Sequence, residues 1–253
     1  MGIKLAYEER GEGKPTMVFV HGWACNRSFF ALQAEYFSRR HRVVSVDLRG
    51  HGESDKPAGE YPIAAYADDI AYMIAQLGLG KVIAVGHSMG GIVVLQLAAA
   101  FPDCVAGIVM IEPVRSFTQP SDEGRARIAG LAAAIEAGIQ EPLRQYVTER
   151  FFLPTSDRKL LKEVLAVMTA MPSQVAASAL RAIPEFDGAA SAALCKVPAL
   201  HIAATPPLNP PHLVSQILPT VINGMTVGAG HFNQLEVPDQ VNAMIDAFLR
   251  DHV

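Results

Sequence analysis

A serine flanked by glycines lies between an apolar strand pattern and a helical pattern. The chain reads Gly86-His87-Ser88-Met89-Gly90-Gly91 directly after the apolar residues 82–85. A tight turn from a strand into a helix needs small residues on both sides, because its backbone is strained and lies close to neighbouring chain. The pattern therefore predicts that Ser88 is lifted above a sheet, with the N-terminus of the next helix aimed at it. An ordinary glycine-rich turn is the alternative interpretation.

Short apolar runs alternate with longer helical patterns over the rest of the chain. This alternation is typical of the α/β class, in which helices flank a mainly parallel sheet. The predicted strands cover residues 3–8, 16–20, 42–46, 81–86, 105–111, 197–203 and 220–227. The corresponding helices cover residues 28–39, 63–77, 89–101, 211–218 and 239–251.

No strand pattern occurs between residues 111 and 197. This stretch is rich in alanine, and its helical patterns cover residues 122–137, 142–150, 157–170 and 173–182. Because the helices look amphipathic, each has to bury one face against something. We therefore expect residues 115–194 to form a helical cap over the carboxyl edge of the sheet, and residues 1–114 and 195–253 to form the core.

The composition and net charge of the chain limit the kinds of ligand that it can bind. The chain has 253 residues, half of them apolar, and a formal net charge of −4 with acidic and basic residues interleaved. There is no basic stripe for nucleic acid and no polybasic patch for a membrane, so we expect a small, largely uncharged ligand. No apolar run is long enough to span a bilayer and no export signal is visible, so we expect a cytoplasmic monomer or homodimer.

Metal and cofactor motifs are missing from the sequence. Cys25, Cys104 and Cys195 are far apart and lack metal-ligand spacing, so we expect reduced thiols and no metal. The Gly-x-Gly at residues 50–52 lacks the third glycine and the helix start of a dinucleotide site, and residues 79–82 do not make a phosphate-binding loop. We therefore predict no cofactor.

Four segments together resemble the α/β-hydrolase fold superfamily, in particular its serine esterases and hydrolases with a helical cap. The first is the glycine-flanked Ser88. The second, Val18-Phe19-Val20-His21-Gly22-Trp23, resembles the family's strand followed by an oxyanion loop, and Gly228-Ala229-Gly230-His231-Phe232 resembles its histidine loop. The fourth, residues 47–54, resembles a turn-building segment of the family.

The resemblance implies the roles of several residues. Ser88 would be the nucleophile, and His231 would be its general base, because an imidazole can take the serine proton and return it to the leaving group. The backbone amides of Trp23 and Met89 would form the oxyanion hole. The implied reaction is hydrolysis of a small, largely apolar carboxylic ester or related acyl compound through an acyl-enzyme.

The chain departs from the family where many relatives carry the acid of the triad. Residues 201–211 read His-Ile-Ala-Ala-Thr-Pro-Pro-Leu-Asn-Pro-Pro, with proline where the aspartate should fall. Glu112 ends an apolar strand pattern beside Ser88, and we predict that it is the acid. The alternatives are that Glu112 only caps the strand or pairs with Arg115, that the site is a dyad, that the chain is a degenerate member of the family, or that a weaker rival supplies the carboxylate. These rivals are Asp47, Asp187, Glu236 and Asp239.

The substrate pocket is expected to be apolar and partly aromatic. We predict that it contains Phe117, Phe151, Phe152 and Phe232, with core packing as the alternative for each. Arg27 and Arg115 are the charged residues best placed to reach a substrate carboxylate, although surface exposure is the simpler expectation for both. Alternative functions on this fold are a C–C bond hydrolase, a cofactor-free dioxygenase, and a small-molecule receptor.

Overall fold

A seven-stranded sheet forms the centre of the protein. The computed structural model describes residues 2–117 and 121–253. Over these residues the strand order is β1-β3-β2-β4-β5-β6-β7. The strands are β1 (Tyr7–Arg10), β2 (Thr16–Val20), β3 (Val43–Val46), β4 (Val82–His87), β5 (Val105–Ile111), β6 (Ala199–Ala203) and β7 (Val221–Met225).

All neighbouring strands are parallel except β1, which pairs antiparallel with β3. Every residue of β2, β3, β4 and β6 is buried, as in a parallel sheet covered on both faces. The carboxyl ends of β2, β4 and β5 consequently meet at one edge of the sheet. The residues that follow these three ends are His21, Ser88 and Glu112.

Eleven α-helices occur in the described part of the chain, together with two short 3₁₀ turns, Arg27–Phe30 and Pro102–Cys104. They are α1 (Ala31–Phe37), α2 (Ile63–Gln76), α3 (Met89–Ala100), α4 (Asp122–Glu136), α5 (Glu141–Phe151), α6 (Arg158–Thr169), α7 (Ser173–Ala182), α8 (Gly188–Leu194), α9 (Pro211–Ile217), α10 (Asn233–Glu236) and α11 (Pro238–His252). Helices α4 to α8 lie between β5 and β6 in the chain, where the sequence predicts a helical insertion.

The helical content of the insertion is confirmed, and α8 is a helix that the sequence patterns missed. Buried side chains of the insertion, such as Leu131 and Val147, belong to the same hydrophobic cluster as Val18 of β2. The insertion therefore packs continuously onto the sheet's helices. Its boundaries as a separate cap, residues 115–194, stay a prediction, and residues 118–120 of that range lie outside the described residues.

Two predicted elements are wrong in extent. The first strand covers Tyr7–Arg10 instead of residues 3–8, because Lys4 and Ala6 use their amides to bind Asp55 and Ser54 of a neighbouring turn. The predicted helix 28–39 divides into Arg27–Phe30 and α1, since the side chain of Asn26 caps the first turn.

Glycines at the carboxyl edge allow the backbone of the serine turn to touch its neighbours. A Cβ added to Gly90 would lie 2.1 Å from the Val20 carbonyl oxygen, and one added to Gly86 would lie 2.1 Å from the Gly90 carbonyl oxygen. Both contacts are with backbone, which cannot rotate away. The absence of side chains at these two positions is therefore a requirement for seating α3 against β2 and β4.

Replacing Gly90 by alanine should consequently destabilise the protein by about 1–3 kcal/mol or more, since overpacking forces a backbone shift. Gly130 in α4 is the matched control, because a Cβ there meets no atom within 4 Å. Gly130→Ala should stabilise by about 0.5–1 kcal/mol through helix propensity. Denaturant unfolding of both variants measures the difference, and a Gly90→Ala protein as stable as wild type would contradict the packing argument.

Within residues 2–117 and 121–253, no single helix is long and apolar enough to cross a membrane. Helices α6 and α7 reach the length and apolar composition of a membrane span only when they are taken together, and the chain bends by 100° between them.

Candidate active site

Ser88 occupies the turn between β4 and α3 in a backbone conformation that L-residues rarely adopt. Its φ is 55° and its ψ is −117°. Such strain persists only where the surroundings enforce it, and here main-chain hydrogen bonds do so. The Ser88 amide donates to the Ile111 carbonyl at 3.0 Å, and the Ser88 carbonyl accepts from Gly91 and Val114.

The side chain of Ser88 meets that of His231. The His231 Nε2 atom lies 2.8 Å from the Ser88 Oγ atom, and both residues are buried. Burial, together with the nearby His87, lowers the pKa of His231 well below its ordinary value. A neutral imidazole beside a hydroxyl can accept the hydroxyl proton.

The loop of His231 is held by both the sheet side and the insertion. His87 Nε2 lies 2.8 Å from the His231 carbonyl oxygen, to which it can donate. The His231 amide donates to the Phe151 carbonyl at 2.8 Å, and the Phe151 ring stacks on the imidazole with centroids 4.2 Å apart. The end of α5 thus fixes both the main chain and the ring plane of His231.

Glu236 adds a further clamp that the sequence did not reveal. Its carboxylate accepts from the Gly230 amide at 2.8 Å and from the Ser156 hydroxyl. The sequence interpretation considered Glu236 only as a weak rival for the acid. In the structure, Glu236 links the histidine loop to the insertion through these two hydrogen bonds.

The amides predicted for the oxyanion hole are free to donate. Neither the Trp23 nor the Met89 amide has an acceptor among the described residues. The Trp23 indole donates to the Ala176 carbonyl of the insertion at 2.8 Å, which fixes the side chain while leaving its own amide unused. The two amides therefore retain the donor capacity that a developing oxyanion requires.

Two buried histidines shape the loop that carries Trp23. His21 Nε2 accepts from the Leu48 amide, so its Nδ1–H donates to the Gly22 carbonyl at 2.8 Å. His51 Nε2 accepts from the amide of Ala24, a non-glycine residue with φ 55°. Both rings must be neutral to accept these bonds. Burial accordingly lowers the pKa of His21 to about 4 and that of His51 to about 3.

Glu112 lies at the end of β5, buried, with φ 39°. Its carboxylate oxygens accept from the Ala204 amide at 2.5 Å and from the Leu208 amide at 2.6 Å. Within the described residues, it makes no hydrogen bond to His231, and the His231 Nδ1 atom has no partner. Glu112 therefore holds the loop that replaces the family's usual acid, and burial raises its pKa to about 7.

A cavity of about 700 Å³ opens above Ser88 and His231. Phe151 and Phe232, predicted to line it, do so, as does Trp23. A larger cavity of about 860 Å³ lies elsewhere, beside Tyr61 and Arg181, and contains neither Ser88 nor His231. Because the smaller cavity contains Ser88 and His231, it is the candidate substrate pocket.

Other predicted pocket residues do not reach this cavity. Phe117 and Phe152 are buried in the hydrophobic cluster, with Phe152 packed behind Phe232 at 5.4 Å between ring centroids. Arg27 does not line the cavity either, because Asp47 and Glu53 bind its guanidinium. Arg115 does line the cavity and is exposed.

Comparisons with known proteins support the fold described above. The sequence profile of the alpha/beta hydrolase fold matches residues 15–136. A thermophilic esterase from Thermogutta terrifontis superposes with a TM-score of 0.89 and 26% identity, over 99% of this chain and 95% of that one. The enol-lactonase from Burkholderia xenovorans LB400 gives a TM-score of 0.88 and 25% identity, over 98% and 97%. The chain has the α/β-hydrolase fold.

A curated relative of this α/β-hydrolase is a 2-(acetamidomethylene)succinate hydrolase from Mesorhizobium japonicum. The two are 41% identical over 138 residues, which is 54% of this chain and 47% of the relative. The α/β-hydrolase described here spans about half the length or less of the curated relatives it matches.

The α/β-hydrolase should lose stability as the pH falls below about 6.5. The pKa of every buried histidine named above is lowered in the folded state, to about 4 in His87, so the unfolded chain binds more protons as pH falls through 6.5. Each such proton costs about 1.4 kcal/mol per pH unit until the folded pKa is reached. The raised pKa of Glu112 acts in the opposite direction between pH 7 and 4.5, but the histidines outnumber it.

Denaturant unfolding at pH 7, 6, 5 and 4 measures this slope. His51→Gln should reduce it, since glutamine can still accept from the Ala24 amide but does not titrate. Gly130→Ala, an exposed substitution that changes no titratable group, is the control and should leave the slope unchanged. A free energy of unfolding that stays constant from pH 7 to 4 would show that these histidines are not held neutral.

Proposed function

We propose that this α/β-hydrolase cleaves a small carboxylic ester or related acyl compound through an acyl-enzyme on Ser88. The observation that carries the proposal is the 2.8 Å contact between Ser88 Oγ and His231 Nε2, at the floor of a cavity and beside two amides without acceptors. A nucleophile, a base and oxyanion donors in one concave site are the parts that acyl transfer needs.

The mechanism follows from these positions. His231 Nε2 takes the Ser88 proton while Oγ attacks the carbonyl carbon, and the Trp23 and Met89 amides stabilise the oxygen that becomes negative. His231 then returns the proton to the leaving group, whose bond to the carbonyl carbon breaks. Water, activated by the same imidazole, attacks the acyl-enzyme and releases the acid and free Ser88.

Glu112 is proposed as the acid that stabilises the protonated His231. The location of the Glu112 carboxylate supports this role. Its Oε2 atom accepts a hydrogen bond from the Ala204 amide. The next amide, that of Thr205, contacts the carbonyl of Ala229 in the histidine loop. Asp47, another buried carboxylate, is occupied by Arg27 and its own turn. During the reaction Glu112 would stabilise the positive charge at His231 Nδ1, the atom that has no hydrogen-bond partner among the described residues.

The relatives support hydrolysis of a small molecule without fixing the bond. They are named as a succinate-derivative hydrolase, an enol-lactonase and an esterase. In the same proposal, residues 115–194 act as the cap of the cavity. The C–C hydrolase, the dioxygenase and the receptor are the outcomes that the following experiments would reveal.

Ser88→Ala should abolish both turnover of 4-nitrophenyl esters and labelling by a fluorophosphonate probe. The change removes the attacking oxygen and little else, so the thermal midpoint should shift only slightly. Ser45→Ala is the control, because Ser45 is a buried serine in β3 whose hydroxyl, unlike that of Ser88, has no hydrogen-bond partner among the described residues. Activity above a trace in Ser88→Ala would disprove the nucleophile, and ligand capture without turnover in wild type would favour a receptor.

Glu112→Gln should lower kcat by on the order of 10³-fold, because the cation formed on His231 would lose its negative neighbour. Wild-type kcat should also fall as the pH drops through about 7, where Glu112 becomes protonated. Steady-state kinetics from pH 5 to 9 measure both effects.

Glu236→Gln is the matched control for this carboxylate. Glu236 also contacts the histidine loop, yet it is proposed to have no role in charge stabilisation. Its replacement should change kcat far less than Glu112→Gln does. Near-normal kcat in a folded Glu112→Gln protein would mean that Glu112 only anchors the loop and that Ser88 and His231 work as a dyad.

A further inference from the structure

The mouth of the cavity above Ser88 is positively charged, although the chain as a whole is negative. Arg115, Arg127 and Arg150 line the cavity, whereas Glu149 is the one carboxylate among its described lining residues. The net charge of the whole chain is −4. A positive opening on a negative protein is a local arrangement that attracts anions.

Among the described residues, these three arginines have no hydrogen-bond or ion-pair partner. No carboxylate lies within ion-pair distance of Arg115, Arg127 or Arg150 among the described residues, and none of the three makes a side-chain hydrogen bond there. Glu149 is instead bonded to Gln145 at 2.9 Å. The guanidinium groups are therefore available to a ligand.

Two of the arginines line the same cavity as Tyr146. Arg150 follows Tyr146 by four residues, so both side chains lie on the same face of α5. Arg127, on α4, lines that cavity as well. Burial raises the pKa of Tyr146, and the positive charges of Arg127 and Arg150 act against that rise.

This cluster is connected to the reacting groups through one aromatic ring. The Tyr146 ring packs edge-on against Phe151 at 5.4 Å, and Phe151 stacks on His231 at 4.2 Å between centroids. An anion bound at the cluster would therefore lie in the same cavity as Ser88.

We propose that Arg127, Arg150 and Tyr146 form a carboxylate-binding subsite, so that the substrate is an acyl compound bearing a second, ionised carboxylate. Guanidinium groups bind carboxylates through paired N–H donors, and a phenol adds a further donor. The proposal rests on the proposed function for the cleaved bond, and it replaces the expectation of a largely uncharged ligand. Arg115, which also lines the cavity, adds to the attracting field.

The test compares two esters that differ in charge: the 4-nitrophenyl monoester of adipic acid and the 4-nitrophenyl ester of its monomethyl ester. Wild type should show a higher kcat/KM for the anionic ester, and the preference should weaken with added salt. The double variant Arg127→Gln/Arg150→Gln should reduce the ratio of the two kcat/KM values by about tenfold to a hundredfold. Arg144→Gln removes the same charge from α5 outside the cavity and should leave the ratio unchanged.

Binding of free dicarboxylates separates this proposal from the hydrolysis itself. Adipate and adipamide are titrated calorimetrically into the wild-type and Ser88→Ala proteins and into the double arginine variant. Adipate should bind both of the first two proteins more tightly than adipamide does, and the difference should disappear in the double variant.

The outcomes distinguish the two ideas. An unchanged ester ratio in the double variant, or an equal loss in Arg144→Gln, would overturn the carboxylate subsite while leaving serine hydrolysis intact. Arginine-dependent binding of adipate without Ser88-dependent turnover of either ester would overturn the proposed function and keep the subsite.

Discussion

The close approach of three backbones around Ser88 is the constraint on which the site depends. Ser88 keeps its unusual conformation because β5 receives its amide and the turn into α3 passes directly over β2. At Gly86 and Gly90 the neighbouring backbone leaves no room for a side chain. Since the three strands are thereby fixed relative to one another, the loop after β2 brings the Trp23 amide to the serine, and the end of β5 brings Glu112.

Burial then sets the charge states on which the site relies. His21 and His51 can hold the Trp23 loop only as neutral acceptors, and removal from water keeps them neutral. The same effect lowers the pKa of His231 and raises that of Glu112. Opposite shifts in a base and a carboxyl group are the usual way in which one fold assigns proton-transfer roles. Moving the serine proton onto His231 creates a buried cation, and an ionised Glu112 would offset much of its cost.

Local patterns in the sequence are sufficient for the sheet, most helices and the turn that carries Ser88, whereas the pairing of Ser88 with His231 is implied by the resemblance to the α/β-hydrolase family. Each of the local features follows from a short motif next to a strand or from a period of apolar residues. The partners of Glu112 could not be predicted, because Ala204 and Leu208 bind it through backbone amides that carry no sequence signal. The four-residue spacing of Tyr146 and Arg150 is visible in the sequence, but Arg127 joins them only after α4 and α5 have packed.

Helix α5 connects recognition with chemistry. One turn of this helix carries Tyr146 and Arg150 at the proposed anion subsite, and the next residue, Phe151, holds the ring and the amide of His231. An anion that orders Arg150 would therefore also restrain the imidazole, because both are fixed to the same rigid element. Binding energy from a part of the substrate that does not react can in this way be used to orient the base. The insertion is consequently more than a cover over the sheet, since it supplies the contacts that fix the orientation of His231.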